Sequence, residues 1–134
     1  MYSFSFLDFR IINLAFSVTK TEPQTDVECE TKIEIGQEKE GKRLSLFLRL
    51  SVESESMPFS ILVEGAGLFE FSQDIEEANI DSIAEVNCAA IVFPYIRETI
   101  ADVTRRAGFA PLHLPPINFV RIFEEKRESS EKPV

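Results

Sequence analysis

The stretch of chain from Cys88 to Phe123 constrains the fold more tightly than any other part of the sequence. Four of its apolar residues recur at intervals of three or four positions: Val92, Ile96, Ile100 and Val103. This spacing is typical of one buried face of an amphipathic helix. We predict that the helix runs to Arg106 and ends at Ala107 and Gly108, because glycine readily adopts the left-handed conformation that satisfies the last carbonyl groups.

The residues that follow, 109–117, form an unusually apolar connector that contains three prolines. Its large apolar residues are Phe109, Leu112, Leu114 and Ile117. Because connectors run over the protein surface, these side chains must pack beneath another element or remain available for binding. A short amphipathic helix is predicted next, over residues 118–126, with Asn118 as its N-cap.

Length and charge limit the functions open to this chain. With 134 residues it favours one domain, which we place at residues 1–126, followed by a polar C-terminal tail at 127–134. The formal net charge of −9 argues against a nucleic-acid partner, which requires basic surfaces. No window is as apolar as a membrane span, so we expect no direct membrane insertion. The apolar N-terminus lacks the basic segment of a signal peptide and is interrupted by Asp8 and Arg10.

The cysteine and histidine content predicts a cytoplasmic protein without a metal site or cofactor. The chain has two widely separated cysteines, Cys29 and Cys88, and one histidine, His113. Cys88 precedes the main helix, where a thiol can have a lowered pKa, but such a cysteine is more often a small buried hydrophobic residue. His113 has no acid, serine or cysteine at a recognised motif spacing. We identify no catalytic residues and expect that the protein is not an enzyme.

The N-terminal half shows the alternation of apolar and polar residues that is typical of β-strands. Apolar residues change phase within 3–19, which indicates either one long strand with bulges or two short strands. Regular alternation predicts strands over 26–36, 43–53 and 59–71. Small residues at 65–67 would let another element approach the last strand closely. Strands followed by helices predict an α+β fold, with an antiparallel meander and helices on one face.

Apolar residues exceed what one thin layer of sheet and helix can bury. Besides those of the connector, they occur in the predicted strand 26–36 and in the last helix: Ile33, Ile35, Phe119, Ile122 and Phe123. We expect the excess to be covered by another subunit, by a bound partner, or by both. A four-stranded sheet also has edge strands and a second face that invite another subunit.

The segment from Cys88 to Phe119 resembles the SecB family of protein-export chaperones. The family's characteristic run contains LFPYARE, a helix, a Gly-Phe-Pro-x-Leu loop and a PVNF segment. The matching positions in this chain are Phe93, Pro94, Tyr95, Arg97, Glu98, Gly108, Phe109, Pro111, Leu112, Leu114, Pro116, Asn118 and Phe119. The strand ending in Val63–Phe69 is similar to another element of the family. Together the matches cover residues 59–123, and the rest is similar in topology alone.

The resemblance implies a SecB-like four-stranded antiparallel sheet with a long helix and a short C-terminal helix packed on one face. Subunits of the family assemble as a dimer of dimers, and their hydrophobic grooves bind unfolded preproteins and keep them competent for Sec-dependent export. The residues that would line such a groove here are Ile33, Ile35, Leu112, Leu114, Ile117, Phe119 and Phe123. Seven further residues would maintain the family structure: Phe93, Pro94, Tyr95, Arg97, Glu98, Gly108 and Asn118.

One departure from the family concerns SecA, the translocation ATPase that export-dedicated members contact through acidic residues. Those positions fall here on Asn13, Ser17 and Leu62, which carry no charge. An alternative implied by the resemblance is a SecB-like chaperone dedicated to the antitoxin of a toxin–antitoxin system, without transfer to SecA. Two hypotheses from other classes remain: a structural oligomer that fills its own groove, and an enzyme that uses Cys88 or His113.

Overall fold

The computed structural model describes residues 3–19, 30–53, 56–74 and 76–131. The strands are β1 (Phe4–Val18), β2 (Glu30–Glu40), β3 (Arg43–Glu53) and β4 (Phe59–Phe71). The helices are α1 (Glu77–Ser82), a π-helical segment (Ile83–Cys88), α2 (Ala89–Arg106) and α3 (Phe119–Glu131). The predicted strand over residues 26–36 is described from Glu30 onward, and Cys29 lies outside the described residues.

The four strands form one antiparallel sheet in the order β1-β4-β3-β2. The predicted meander is confirmed for β2, β3 and β4 but is wrong for β1, which pairs with β4. Alternation along a strand shows which face is buried, and it does not show which strand lies alongside. As a result of this order, β1 and β2 are the two edges of the sheet.

β1 is one continuous strand of 15 residues, as the first of the two interpretations predicted. Its pairing with β4 shifts register between Phe6 and Asp8, and again between Ile11 and Asn13. These are the two points where the apolar pattern changes phase. An extra residue in one strand of a pair bends that strand and increases its twist, so β1 is bent at both points.

The core lies between the sheet and α2. Alternate residues of β3 are fully buried: Leu44, Leu46, Leu48, Leu50 and Val52. The apolar face of α2 covers them, with Val92, Ile96 and Ile100 fully buried. Glycine lets α2 approach β4, because a Cβ atom at Gly67 would lie 2.5 Å from Cγ2 of Val92. The predicted close approach at the small residues of β4 is thereby confirmed.

The helical region is continuous from α1 to the end of α2 and contains Pro94 within α2. α3 begins after Asn118, whose Oδ1 accepts a hydrogen bond of 3.1 Å from the N–H of Arg121, so the predicted N-cap is confirmed. α3 continues to Glu131, beyond the end predicted at residue 126. None of the helices described has the length and apolar character needed to cross a membrane.

Candidate functional site

A groove runs between the edge strand β2 and helix α3. Its apolar part is a cavity of about 320 Å³, with Ile33 and Ile35 on the β2 side and Ile122 and Phe123 on the α3 side. A wider and more polar cavity of about 770 Å³ is also lined by Ile35 and Phe123. We call the two cavities together the edge groove.

Strand alternation and helical spacing explain why these side chains meet. Ile33 and Ile35 lie two residues apart in β2, opposite the fully buried Leu50 and Leu48 of β3, so all four share one face of the sheet. The two isoleucines are only half-buried. Their exposure follows from the position of α2, which packs on β3 and β4, whereas β2 contacts the π-helical segment and faces α3 across the cavity.

One ion pair joins α3 to the π-helical segment beside the edge groove. Nζ of Lys126 donates a hydrogen bond of 2.6 Å to Oε1 of Glu85. The Glu85 side chain is 13% exposed, whereas that of Lys126 is 63% exposed. Both residues line both cavities, so the ion pair stands where the apolar and polar parts of the groove adjoin.

The polar part of the edge groove connects β2 with α1. Nε2 of Gln37 donates a hydrogen bond of 2.5 Å to Oδ1 of Asp81. Asn79, Ser82 and Arg127 also line this part. A peptide in the groove would therefore meet apolar side chains at one end and hydrogen-bonding side chains at the other.

The structure brings together some of the residues predicted to line a groove. Ile33, Ile35 and Phe123 line the edge groove. Leu112 and Ile117 are half-buried in the connector and line neither of its cavities. These five residues therefore form two partly exposed apolar surfaces, one in the edge groove and one on the connector.

Two residues predicted to line the groove belong to the core instead. Leu114 is 6% exposed and Phe119 is 4% exposed. The ring of Phe119 packs edge-on against Phe93 of α2, with the ring centroids 5.7 Å apart. The prediction that these two side chains line a groove is therefore corrected, because both are packed into the buried core cluster.

Sequence reasoning did not include Ile122, Glu85 or Lys126 among the groove residues. Lys126 had a usable signal, because it lies three positions after Phe123 and residues at that spacing share a helix face. Ile122 had the same kind of signal, because it lies four positions before Lys126 and residues four apart also share a helix face. Glu85 had no comparable signal, because a π-helical segment shifts the angular positions that an α-helix would give.

The connector begins at a Schellman motif that closes α2. The N–H of Phe109 donates a hydrogen bond of 3.1 Å to the carbonyl of Thr104, and the N–H of Gly108 donates one of 3.1 Å to the carbonyl of Arg105. Gly108 has a φ of +94°, which explains why glycine occupies this position. The ring of Phe109 then packs on Phe59 of β4, with centroids 5.1 Å apart. The predicted helix end is confirmed.

The remaining residues with a predicted structural role differ in how far the structure supports it. Phe93 is buried against α3, and Tyr95 stacks on Phe9 of β1 with ring centroids 5.1 Å apart. Arg97 is half-exposed and Glu98 is exposed, and neither side chain has an ion pair or hydrogen bond within the described part of the chain. A structural role for Arg97 and Glu98 stays a prediction.

The two residues considered for catalysis lie in unlike surroundings. Cys88 is fully buried, and this burial raises the pKa of its thiol to about 12, so the thiol stays protonated at neutral pH. His113 is exposed in the connector. Across residues 3–19, 30–53, 56–74 and 76–131, no cluster of His, Cys, Asp and Glu has the arrangement of a metal site. What the described residues offer is a surface for binding.

The positions of the predicted SecA contact lie together on the sheet face opposite the helices. Across the β1–β4 pair, Ala15 faces Leu62 and Ser17 faces Ser60. Directly opposed residues have their side chains on the same face, and Asn13 shares that face because it lies two residues from Ala15. These three residues carry no charge, but the acidic Glu64 lies directly opposite Asn13 on the same face.

Comparisons with known proteins agree with this architecture. The family model described as "Preprotein translocase subunit SecB" matches residues 7–130. The protein-export protein SecB of Acidithiobacillus ferrooxidans is 33% identical over 128 residues, which cover 93% of this chain and 85% of that protein. The protein-export protein SecB of Methylobacillus flagellatus is 42% identical over 74 residues, 55% of this chain and 46% of that protein.

A solved structure shows a similar fold. It is the SecB-like chaperone of Mycobacterium tuberculosis in complex with a peptide from an antitoxin, and it superposes with a TM-score of 0.76 at 19% identity. The match covers 85% of this chain and 90% of that one. The fold class is thus that of SecB-like chaperones. Together with the family model, these relatives show that the chain belongs to the SecB family of protein-export chaperones.

Proposed function

We propose that this protein binds unfolded preproteins and keeps them competent for Sec-dependent export. The observation that supports the proposal best is the edge groove, where Ile33, Ile35, Ile122 and Phe123 form an apolar lining that α2 leaves uncovered. Such a surface on a SecB-family chain suits an extended polypeptide rich in apolar side chains. The half-buried Leu112 and Ile117 of the connector supply a second apolar contact surface.

The mechanism requires no catalysis and no cofactor. An apolar client side chain that moves from water into a groove gains roughly 1.5–3 kcal/mol before ordering costs are subtracted. Several such sites on one assembly act on the same flexible chain, so their weak affinities combine through effective concentration. A folded protein cannot present several apolar segments at once, and selectivity for unfolded clients follows from that difference.

We propose further that the subunits assemble as a homotetramer, a dimer of dimers. Large apolar side chains of β1 are exposed in the single chain: Leu7, Ile11, Ile12, Leu14 and Val18. They lie on an edge strand, where a second copy can cover them. Residues 1–126 would be the chaperone domain of each subunit, located in the cytoplasm.

A second candidate function is a chaperone that serves one antitoxin and does not transfer clients to SecA. The uncharged side chains of Asn13, Ser17 and Leu62 favour it, because the acidic residues of the SecA contact would be lacking at these three positions. This chain shares its fold with the SecB-like chaperone of Mycobacterium tuberculosis, which was solved with an antitoxin peptide.

Purification of the tagged chain from its source cells, followed by identification of bound proteins, tests these functions. Many exported precursors together with SecA are the result expected for the first function, and one small antitoxin is expected for the second. The purified protein should also suppress aggregation of thermally denatured citrate synthase and bind an environment-sensitive hydrophobic dye. Absence of both activities would contradict either chaperone function and favour a structural oligomer.

A further inference from the structure

The feature that leads to this inference is a buried hydroxyl group at the end of α2. Thr104 is fully buried, and its one hydroxyl proton is shared between two carbonyl oxygens, that of Ile100 at 2.9 Å from Oγ1 and that of Ala101 at 3.1 Å. The same oxygen accepts a hydrogen bond of 2.9 Å from the N–H of Leu112. Thr104 is thus both donor to the helix and acceptor from the connector.

Thr104 is also where the connector leaves the helix. Its carbonyl accepts the N–H of Phe109 in the Schellman motif, so two connector amides bind this one residue. The prolines of the connector have no N–H to donate. Among the described residues, no other N–H of residues 109–117 donates to a protein acceptor. The path of the connector over α2 is consequently fixed by Thr104 and by apolar packing.

We infer that Thr104 is a positioning residue for client binding, one that sets the path of the connector and thereby presents Leu112 and Ile117. The inference rests on the proposed chaperone function. Packing of Phe109 and Leu114 holds the segment against the core, but apolar contacts have no fixed direction and do not by themselves orient the backbone at Leu112. A hydrogen bond to the amide of Leu112 fixes one point of that segment and selects which faces of Leu112 and Ile117 remain exposed.

Thr99 provides a matched control on the same helix. Its Oγ1 donates to the carbonyl of Tyr95 at 2.9 Å, four residues earlier, as Thr104 does to Ile100. Thr99 accepts no hydrogen bond from the connector. Replacing Thr99 by valine therefore removes a hydroxyl from α2 without removing a hydrogen bond to the connector.

The test compares Thr104→Val, Thr104→Ser and Thr99→Val in the full-length chain. Amide hydrogen exchange at Leu112 is measured without client, and affinity is measured with fluorescent lactalbumin held unfolded by reduction and carboxymethylation. Thr104→Val should speed exchange at Leu112 about tenfold, as expected for loss of one protecting hydrogen bond, and should weaken client binding severalfold. Thr104→Ser keeps the hydroxyl, so it should retain the wild-type exchange rate at Leu112 and the wild-type client affinity. Thr99→Val should change neither value.

Three outcomes would overturn the inference: unchanged exchange at Leu112 in Thr104→Val, faster exchange with unchanged client affinity, or equally faster exchange along the whole of α2. Should the valine variant fail to fold, Thr104→Ala provides the same comparison without a branched side chain to accommodate. If the wild-type chain does not bind the unfolded probe at all, the proposed function fails. That failure is distinguishable, because exchange at Leu112 is measured without client.

Discussion

The two edges of the sheet, β1 and β2, differ in how far their apolar side chains are covered by the rest of the chain. β1 is long and bulged, and no element among the described residues covers the large apolar side chains that it exposes. β2 exposes mostly charged residues, and its apolar Ile33 and Ile35 lie half-buried beside α3. An open strand can be covered completely by one surface of fixed shape, whereas a groove with a cavity accepts side chains of varying shape. The first suits assembly and the second suits a changing set of clients.

A variant that destabilises the core must be distinguished from one that alters either edge of the sheet. Leu114→Asp places a charge without a partner in the core, and we expect it to lower the free energy of unfolding by on the order of 4 kcal/mol. Chemical denaturation followed by circular dichroism measures the loss. Leu112→Asp, two residues away at a half-buried position, is the control and should cost clearly less. Equal losses in the two variants would contradict the assignment of Leu114 to the core.

The proposed role of β1 in subunit assembly is tested by placing a charge at Leu14, which is 46% exposed. Leu14→Asp should leave the fold of the subunit intact and weaken assembly by about 3 kcal/mol, roughly 150-fold, because the charge would be desolvated in the interface. Light scattering coupled to size exclusion reports the mass of the assembly. Ser17→Asp, on the opposite face of β1, should leave that mass unchanged. An intact tetramer formed by Leu14→Asp would show that this face of β1 does not lie in a subunit interface.

The role of the β2 edge is tested at Phe123, which lines both cavities of the groove. Phe123→Ala should reduce affinity for an unfolded client by about 1 kcal/mol, roughly fivefold, since the ring is only half-buried and contributes part of its full transfer energy. Fluorescence anisotropy measures the affinity. Val120→Ala provides the control, because Val120 is 48% exposed on α3 and lines neither cavity. A larger effect at Val120 would place the client on another face of α3.

The smallest expected effect lies on the outer surface of α2, away from both edges. Hydrogen bonds from Arg105, and then from Arg106, hold the pKa of Asp102 below its usual range. A carboxyl with a lowered folded-state pKa stabilises the fold above its unfolded pKa, and this contribution is lost as pH falls through the folded pKa. Asp102→Asn should therefore lower the melting temperature slightly at neutral pH, with a difference that shrinks in acid and in high salt. A difference that grows in acid would contradict this assignment.

Local patterns were sufficient for most elements but not for their arrangement. Alternation located the strands, and the phase changes at Phe6 and Ile11 marked the bulges of β1. The ease with which glycine adopts a positive φ predicted the end of α2 at Gly108. The neighbour of β1 could not be predicted, because strand pairing depends on contacts between distant parts of the chain. The same limit applied to Glu85, whose position depends on a π-helical segment without a sequence signature that we could recognise.

The connector shows most clearly why part of the site escaped prediction. Leu112 and Leu114 are chemically identical and two residues apart, yet one is half-exposed and the other is in the core. In a strand or helix, periodicity would have related their directions, but an irregular Pro-rich segment has no such period. The contact that orients it, from the amide of Leu112 to Thr104, spans eight positions and depends on the completed helix end.

The spacing of the free amides in the connector has a consequence for how a client chain can lie on it. Its prolines have no N–H, and Thr104 accepts two of the remaining N–H groups. Within the part of the chain that the structure describes, four N–H groups remain free, those of residues 110, 113, 114 and 117, but no two of them have the two-residue spacing that a strand ladder uses, whose pattern would depend on strand direction. Contact is left to side chains, which do not distinguish one N-to-C direction from the other. The connector would then select its clients by composition, and the same apolar segment would bind whichever way the chain is threaded.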